Sequence, residues 1–212
     1  MVRPRIFLAD DHTLLVDAFR LLLEPEFEIV GVASNGRELL AIAPKMQPDL
    51  VIIDLGLPLL SGIDAGRQLK KVLPRTKILV VTINEDSAVA GEALREWASG
   101  YLLKKSAGRE LTFALRELLK GKCYVTPLVA KKLADDSIRD PVAHARKLLS
   151  PRQREVLQLL AEGRTMKEVA DVLNLTTRTV QFHKYKIMED FGMHNNSELV
   201  KLAIREHLVS TN

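Results

Sequence analysis

The sequence predicts an N-terminal α/β domain built on a doubly wound parallel sheet, followed by a C-terminal domain made only of helices. Over residues 1–120, short aliphatic and β-branched runs alternate with helical patterns, which is typical of successive β-α units. The runs VIID and ILVVT are almost wholly apolar, as strands buried on both faces must be. Residues 148–212 instead show four helical segments with clear start signals.

Five strands and five helices are predicted in the first domain. The strands are expected at Arg5–Ala9, Glu28–Val32, Leu50–Asp54, Lys77–Thr82 and Gly100–Leu103. The helices, in which apolar residues recur at helical spacing, are expected at Thr13–Leu23, Gly36–Ala43, Ile63–Leu73, Ser87–Trp97 and Ala107–Lys120. This alternation predicts one sheet with helices on both faces.

The alternation of strand and helix patterns ends after Lys120. Residues 121–147 are polar and lack strand character, so we predict a linker there with a short helix around Leu128–Ala134. The second domain then begins with a capping box, Ser150-Pro151-Arg152-Gln153, and proline at the first helical position costs no hydrogen bond. The same box recurs at Thr165–Glu168 and Asn195–Glu198. Gly163 and Gly192 stand where helices should end.

The composition is that of a globular protein of one large or two small domains. The chain has 212 residues, 47% of them hydrophobic and 27% charged. It contains no apolar run near the roughly 18 residues of a membrane span, and its N-terminus lacks the pattern of a signal peptide. The single cysteine, Cys123, has no partner for an internal disulfide, so we expect a cytosolic protein. The net charge of +4 lies mostly after residue 120, which permits nucleic-acid binding without arguing for it.

Polar side chains follow the predicted strands at one edge of the sheet. The first strand ends in Asp10-Asp11, the third in Asp54 and the fourth in Thr82, while the fifth runs into Lys104. Because parallel strands end at one edge, these groups should converge there. Crowded carboxylates repel unless a cation joins them, and a hard divalent ion suits oxygen ligands. A carboxylate can also attack phosphorus, while Lys104 and Thr82 could hold the phosphoryl oxygens. Taken singly, Asp11 could merely cap a helix, and Thr82 and Lys104 could be ordinary surface or strand residues.

These residues, together with Pro58 and the run Gly100-Tyr101-Leu102-Leu103-Lys104, resemble the receiver domain of bacterial response regulators over about residues 4–120. The resemblance implies strand order 2-1-3-4-5 and Mg²⁺ held by Asp11, Asp54 and the backbone carbonyl of Gly56, with Asp10 assisting through water. It further implies that Asp54 accepts a phosphoryl group from a histidine kinase, and that Thr82 and Tyr101 form the switch pair. Three positions depart from the family pattern: Gly56, Trp97 and Lys105.

The third helix of the second domain carries two distinct faces. Val180, His183 and Ile187 form a stripe that should pack on the other helices. A second face of this helix consists of Arg178, Gln181, Phe182 and Tyr185. Its aromatic rings would be exposed to water unless the helix is inserted into the DNA major groove, which would cover them. Gln181 could pair with adenine and Phe182 could meet thymine methyl groups. Contacts to phosphates are expected from Thr177, Arg178, Lys184 and Lys186. A partner-binding helix, or part of a larger core, remains the alternative.

The segment LSPRQREVLQLLAEGRTMKEVADVLNLTTRTVQFHKYKI resembles the LuxR-type helix-turn-helix domain of the NarL/FixJ class of regulators, over about residues 148–210. The resemblance implies binding of double-stranded DNA, RNA polymerase as a candidate partner, and a dimer contact on the last helix, Asn195–Leu208. The apolar side of that helix would be Leu199, Leu202, Ala203 and Ile204. Gln181 replaces the lysine common in the family, and Asp190-Phe191 replaces its usual Lys-Leu.

Three functions are compatible with the sequence. The leading hypothesis is a response regulator transcription factor, in which phosphorylation of Asp54 in a Mg²⁺-dependent reaction controls dimerisation and DNA binding. A phosphatase or mutase built on a nucleophilic aspartate would need a second carboxylate two residues later, and position 56 is glycine. The third hypothesis keeps DNA binding but makes the receiver a phosphorylation-independent dimerisation module, which Gly56 and Trp97 favour.

Overall fold

The N-terminal part of the chain folds around one parallel sheet. The computed structural model describes residues 3–139 and 149–209. The sheet has six parallel strands in the order β2-β1-β3-β4-β5-β6. Their bounds are β1 Arg5–Ala9, β2 Glu28–Ala33, β3 Leu50–Ile53, β4 Lys77–Thr82, β5 Gly100–Leu103 and β6 Tyr124–Val125.

Helices cover both faces of this sheet. Their bounds are α1 Thr13–Leu23, α2 Gly36–Met46, α3 Gly62–Val72, α4 Ser87–Glu96, α5 Ala107–Leu119 and α6 Pro127–Arg139, with a short 3-10 helix at Lys104–Ser106. Successive residues of each strand face opposite sides, so Phe7 and Ala9 of β1 join the core under α2, α3 and α4, whereas Ile6 and Leu8 join the core under α1 and α5. The prediction of a doubly wound parallel sheet in the order 2-1-3-4-5 is confirmed for its five strands.

The sixth strand lies in the segment that the sequence analysis assigned to a linker without strand character, and that expectation is wrong. Tyr124 and Val125 pair with Gly100 and Tyr101 of β5. The adjacent Thr126 extends the contact, because its N–H donates to the carbonyl of Tyr101 and its hydroxyl accepts from the N–H of Leu103. A strand of two residues is too short to show alternation, so it left no periodic signal.

Helix α6 is also longer than the short helix expected around Leu128–Ala134. It begins at Pro127, and its Val129 is fully buried in the core under α4. Lys132 forms an ion pair with Glu85, just before α4. The segment up to residue 139 therefore belongs physically to the sheet domain.

The C-terminal part of the chain contains four described helices around two small cores. They are α7 Pro151–Ala161, α8 Met166–Leu173, α9 Thr177–Phe191 and α10 Asn196–Arg205. Reciprocal capping boxes start α7 at Ser150 and α8 at Thr165, as predicted. Gly192 ends α9 with φ +64, a left-handed conformation that suits glycine.

None of the helices within residues 3–139 and 149–209 is long and apolar enough to cross a membrane.

Trp97, one of the departures from the receiver pattern, fills the space between α3 and α4. Its side chain is 3% exposed, and its ring lies so close to α3 that a Cβ added to Gly66 would come within 2.3 Å of it. The tryptophan and the missing side chain at position 66 are thus complementary in shape, and both lie within the core under α3 and α4.

We therefore expect Gly66→Ala to lower the free energy of unfolding by roughly 1–3 kcal/mol, the usual cost of overpacking a core. Gly108→Ala is the matched control, because it also lies in a helix but its added Cβ would meet nothing within 4 Å. That control should leave stability unchanged or raise it by up to about 1 kcal/mol through helix propensity. Urea unfolding of both variants measures the difference. Equal stabilities would contradict the packing described for Trp97.

Candidate functional site

Three charged groups from three strand ends meet at the carboxyl edge of the sheet. The ammonium nitrogen of Lys104 lies 2.8 Å from a carboxylate oxygen of Asp10 and 2.8 Å from one of Asp54. Both aspartates are buried. Each follows a strand whose pairing fixes the backbone, and the N–H of Asp54 donates to the carbonyl of Ala9. The predicted convergence of these side chains is present in the structure.

Burial and charge shift the pKa values of Asp54 and Lys104. Burial raises the pKa of Asp54, while Lys104 and the backbone N–H of Gly56, which donates to the Asp54 carboxylate, oppose that rise. Burial alone would lower the pKa of Lys104, but Asp54 and Asp10 outweigh it and the pKa is raised. Both shifts favour the protonated form, which is neutral for Asp54 and charged for Lys104, so they disagree on whether the two groups form an ion pair. We take the ionised state, because one ammonium held between two carboxylates is stabilised from both sides.

Asp11 and His12 extend the cluster toward solvent. One ligand atom from each of Asp10, Asp11, His12 and Asp54 lies within 4.8 Å of the others. His12 Nδ1 is 3.0 Å from Asp10 Oδ1 and 2.9 Å from Asp11 Oδ1. Three carboxylates against one ammonium leave a net negative charge with oxygen donors, which fits a hard divalent ion such as Mg²⁺. Asp11 does not cap α1, whose first turn has no side-chain cap, and the sequence analysis missed His12.

Thr82 and Tyr101 meet at the turn after β4. The hydroxyl of Thr82 accepts from the N–H of Asn84 at 3.2 Å, and the hydroxyl of Tyr101 donates to the carbonyl of the same residue at 2.9 Å. Tyr101 is fully buried, and its pKa is raised by that burial and by the negative charges of Asp86 and Asp54. Thr82 and Tyr101, which the sequence analysis predicted as a switch pair, are therefore linked through the backbone of Asn84.

The loop between β3 and α3, residues 54–61, leads directly out of the Asp54 site and is held by α7. Gln158 is buried and its carboxamide bonds this loop twice, accepting from Ser61 N at 2.7 Å and donating to Leu57 O at 3.0 Å. Glu162 accepts from the N–H of Leu59 at 3.0 Å, and Leu59 has a left-handed φ of +66. The signal for this contact was a polar residue, Gln158, inside an otherwise apolar stretch.

Charged pairs and a second loop complete the contact between the two halves of the chain. Arg154 Nε lies 3.0 Å from both carboxylate oxygens of Asp64, and Arg37 pairs with Glu155 at 3.0 Å. At the other end, the ring of His207 lies 2.9 Å from the side-chain amide of Asn84 and 3.3 Å from Asp86. Hydrogen bonding to His207 is the main cause that lowers the pKa of Asp86 to about 2. The first loop beside Asp54 is thus held by α7, and the second is held by His207, which follows α10.

A cavity of about 800 Å³ lies over the Asp54 site, between the two halves. Its floor includes Asp54, Thr82 and Lys104. Its walls are mostly aliphatic and come from α1 on one side and from α10 and the residues after it on the other; they include Leu14, Leu15, Val200, Ile204, Leu208 and Val209. The C-terminal helices therefore form the outer wall of the space in front of Asp54.

Five of the residues predicted to contact DNA lie together on the outer side of α9. They line one open surface with Glu189: Arg178, Gln181, Phe182, Tyr185 and Lys186. Phe182 is 64% exposed and Tyr185 is 55% exposed, while Val180 and Ile187 of the other face are fully buried. Thr177 is exposed at the start of the helix. Lys184 lies apart, beside residues of α7 and α10, and Lys186 is paired with Glu189 and Asp190 of its own helix.

The residues expected to supply the dimer contact are for the most part core residues. Leu199, Leu202 and Ala203 pack inside the C-terminal domain against Leu157 and Ile187, with at most 3% of their surface exposed. The expectation that these three form a surface contact does not fit this burial, because the helical stripe chosen from the sequence faces inward. Ile204 is only partly buried and, with Val200, faces the cavity in front of the Asp54 site.

The fold and the site together define an α/β domain with an acidic site at its sheet edge, joined to a helical DNA-binding domain. Residues 6–116 match the family described as response regulator receiver domain, and residues 147–203 match the luxR family of bacterial regulatory proteins. The chain therefore belongs to the response regulators, and it is a transcription regulator whose receiver domain is followed by a LuxR-type helix-turn-helix. This family consists of DNA-binding regulators rather than classical enzymes.

Relatives of the same architecture match almost the whole chain. The oxygen regulatory protein NreC of Staphylococcus carnosus is 31% identical over 97% of this chain and 99% of its own length. A putative transcriptional regulator of Pseudomonas aeruginosa is 35% identical with the same two coverages. Among solved structures, the RcsB response regulator of Salmonella typhimurium is 30% identical with a TM-score of 0.66, over 97% of this chain and 98% of that chain. RcsB bound to the rprA promoter with a phosphomimetic has 29% identity and a TM-score of 0.60, with the same coverages.

The acidic cluster yields a prediction for metal binding. Asp11→Ala should weaken binding of Mn²⁺, used as a spectroscopic substitute for Mg²⁺, by roughly ten- to a hundredfold or more, since losing even a supporting group at a metal site costs that much. Titration followed by electron paramagnetic resonance measures the free ion. Asp17→Ala is the matched control, because this exposed aspartate of α1 is outside the cluster. Equal losses in both variants would contradict the assigned ligand set.

Proposed function

We propose that Asp54 accepts a phosphoryl group from a histidine kinase in a Mg²⁺-dependent reaction, and that its occupancy controls dimerisation and DNA binding. The observation that carries this proposal is the position of Asp54, whose carboxylate is buried beside Lys104 and Thr82 at the end of β3. A bound Mg²⁺ held by Asp11, Asp54 and the Gly56 carbonyl would neutralise phosphoryl charge. We further propose that the protein acts in the cytoplasm and recruits RNA polymerase.

The protein's own groups fit the steps of phosphoryl transfer. The carboxylate of Asp54 is the nucleophile, and its raised pKa makes it more basic than an exposed aspartate. The ammonium of Lys104 and the hydroxyl of Thr82 lie on the same cavity floor, where they can hold the transferred oxygens. When Lys104 binds a phosphoryl oxygen it must leave Asp10 or Asp54, so occupancy of the site changes the pairing of the whole trio.

The outer face of α9 supports double-stranded DNA as the target. Its aromatic side chains are exposed beside Arg178 and Gln181, an arrangement that suits contacts with base edges and thymine methyl groups. In this conformation the receiver domain does not cover that face. Access of α9 to DNA is therefore not the step that docking of the domains controls.

Docking instead constrains α10. Val200 and Ile204 face the cavity over the Asp54 site, so a second copy cannot pair along this side of α10 while the domains are docked. Phosphorylation changes the surroundings of the two loops that Gln158 and His207 hold. We propose that loosening of these contacts frees α10, so that two copies bind paired half-sites as a homodimer.

The alternative is a receiver that serves only as a phosphorylation-independent dimerisation module. Gly56 and Trp97 raised that possibility. Trp97 lies in the core beside Gly66 and does not line the Asp54 cavity, and Gly56 lines that cavity without a side chain. Neither residue obstructs the acceptor, which supports the phosphorylation-dependent function.

Asp54→Ala should abolish phosphoryl incorporation from phosphoramidate and Mg²⁺, because among the described carboxylates paired with Lys104, which are Asp10 and Asp54, only Asp54 lines the cavity. Asp17→Ala is the control and should label like the wild type. Phosphate-affinity electrophoresis measures the labelled fraction. Labelling of the Asp54 variant would remove the site assignment, and unchanged DNA affinity with beryllium fluoride would favour the dimerisation module.

Gln181→Ala should relax sequence preference at one base pair and cost roughly 1–3 kcal/mol there. Lys201→Ala, an exposed residue of α10 outside the α9 surface, is the control and should keep the wild-type preference. Selection from random duplexes followed by binding assays at fixed salt identifies the site and measures the change. An identical base preference in the Gln181 variant would rule out direct base contact by this side chain.

A further inference from the structure

We propose that the docked C-terminal domain acts as a size filter on the phosphodonor: with the domains docked, Asp54 reacts with small phosphoramidates and acyl phosphates but not with phosphohistidine presented by a folded protein. The inference rests on the proposed phosphorylation of Asp54 and adds which class of donor can reach it. A protein donor gains access only when the contacts between the two domains open.

The space in front of Asp54 sets the limit. The cavity of about 800 Å³ is the size of an ordinary small-molecule pocket. A helix is roughly 10–12 Å across with its side chains and rises 5.4 Å per turn, so about two turns would fill such a volume completely. A phosphohistidine on a helical protein is flanked by more protein than this, and that protein would overlap α10.

A phosphodonor that approaches Asp54 passes between residues of α1 and residues of α10, because both helices line the cavity. Leu14 and Leu15 of α1 line this cavity together with Val200 and Ile204 of α10. Leu14 is 82% exposed and Ile83 is 69% exposed, so apolar side chains border the route to Asp54 without closing it. A small donor can pass between these walls, whereas a folded donor must displace one of them.

The contacts that dock the C-terminal domain on the receiver are made by residues outside the phosphoacceptor site. Arg154 bonds both oxygens of Asp64, and Gln158 bonds Ser61 and Leu57. Leu59 packs its side chain against the core of α7, α8 and α9. None of Arg154, Gln158 and Leu59 lines the cavity over Asp54, so changing them removes no group of the acceptor.

The reaction is the same for every donor with a phosphorus–nitrogen bond; with an acyl phosphate the bond from phosphorus to the carboxylate oxygen breaks instead, and the carboxylate leaves with that electron pair. A carboxylate oxygen of Asp54 forms a bond to phosphorus, and the bond from phosphorus to the donor nitrogen breaks. The electron pair of that bond stays on the nitrogen, which leaves as ammonia or imidazole after taking up a proton. N-phosphoimidazole and phosphohistidine share the imidazole leaving group and differ in the bulk attached to it, so the comparison of these two donors isolates steric access.

The test compares phosphoramidate, N-phosphoimidazole and a twenty-residue helical peptide carrying phosphohistidine as donors to the full chain with Mg²⁺. In the wild type, the rate should fall sharply between phosphoimidazole and the peptide. In the double variant Arg154→Ala with Gln158→Ala, a larger fraction of molecules should have undocked domains, so the rate of phosphorylation by the peptide should rise about tenfold or more. The rate with phosphoramidate should stay within about threefold of the wild-type rate. Lys167→Ala is the control and should behave as the wild type; it removes one positive charge, that of an exposed side chain of α8.

Leu59→Gly provides an independent variant from the receiver side. It removes the side chain that packs on the C-terminal core, and its left-handed φ of +66 favours glycine, so folding is not at risk from the backbone. It should raise the peptide rate as the double variant does. If the rates fall with donor size alike in the wild type and in both variants, the size filter is wrong. If phosphoramidate labels none of the proteins, the proposed phosphorylation itself fails.

Discussion

The ammonium group of Lys104, held 2.8 Å from both Asp10 and Asp54, is the constraint on which the carboxyl edge of the sheet depends. Two buried carboxylates at neighbouring strand ends would repel each other, and burial would push a proton onto one of them. One shared cation offsets this repulsion and links the ends of β1, β3 and β5 to each other. The same cation must change partners when a phosphoryl group arrives, so the element that stabilises the resting edge is also the one that a ligand disturbs.

The rest of the resting structure is arranged around this edge. The loop after β3 is held by Gln158 and Glu162, and the turn after β4 is held by His207. These are the two segments adjacent to the trio, and Tyr101 is bonded to the second of them. Coupling between binding equilibria is reciprocal, so a ligand that binds the edge more tightly when the domains are apart must also loosen their contact; this reciprocity holds for affinities and not for rates of phosphoryl transfer.

Most of the fold and the centre of the site could be predicted from the sequence, because they rest on repeated local signals. Apolar runs ending in Asp10, Asp54 and Thr82 locate strands and place their polar ends at one edge, and capping boxes locate α7 and α8. The prediction failed where the signal was short or ambiguous. The strand at Tyr124–Val125 has too few residues for a period, and Leu199 and Ile204 share one helical pattern although only the first is in the core.

The contact between the two domains could not be predicted from local sequence patterns. It depends on surfaces from distant parts of the chain, and its charged pairs, such as Arg154 with Asp64, look like ordinary surface residues in the sequence. Gln158 was the one visible sign, since a buried amide inside an apolar stretch requires a partner. The helical pattern of α7 predicts that the residue is buried but does not show which loop satisfies it.

Strand β6 also determines where the N-terminal half can be cut. A fragment that ended near residue 120 would lose the partner of the Tyr101 carbonyl and of the Leu103 N–H, both of which Thr126 satisfies. β5 would then be an unprotected sheet edge, and loss of Val129 would uncover apolar surface beside it. Exposed edges of this kind recruit strands from other molecules. A fragment extending through residue 139 retains its own edge protection and is the one suited to study as a soluble unit.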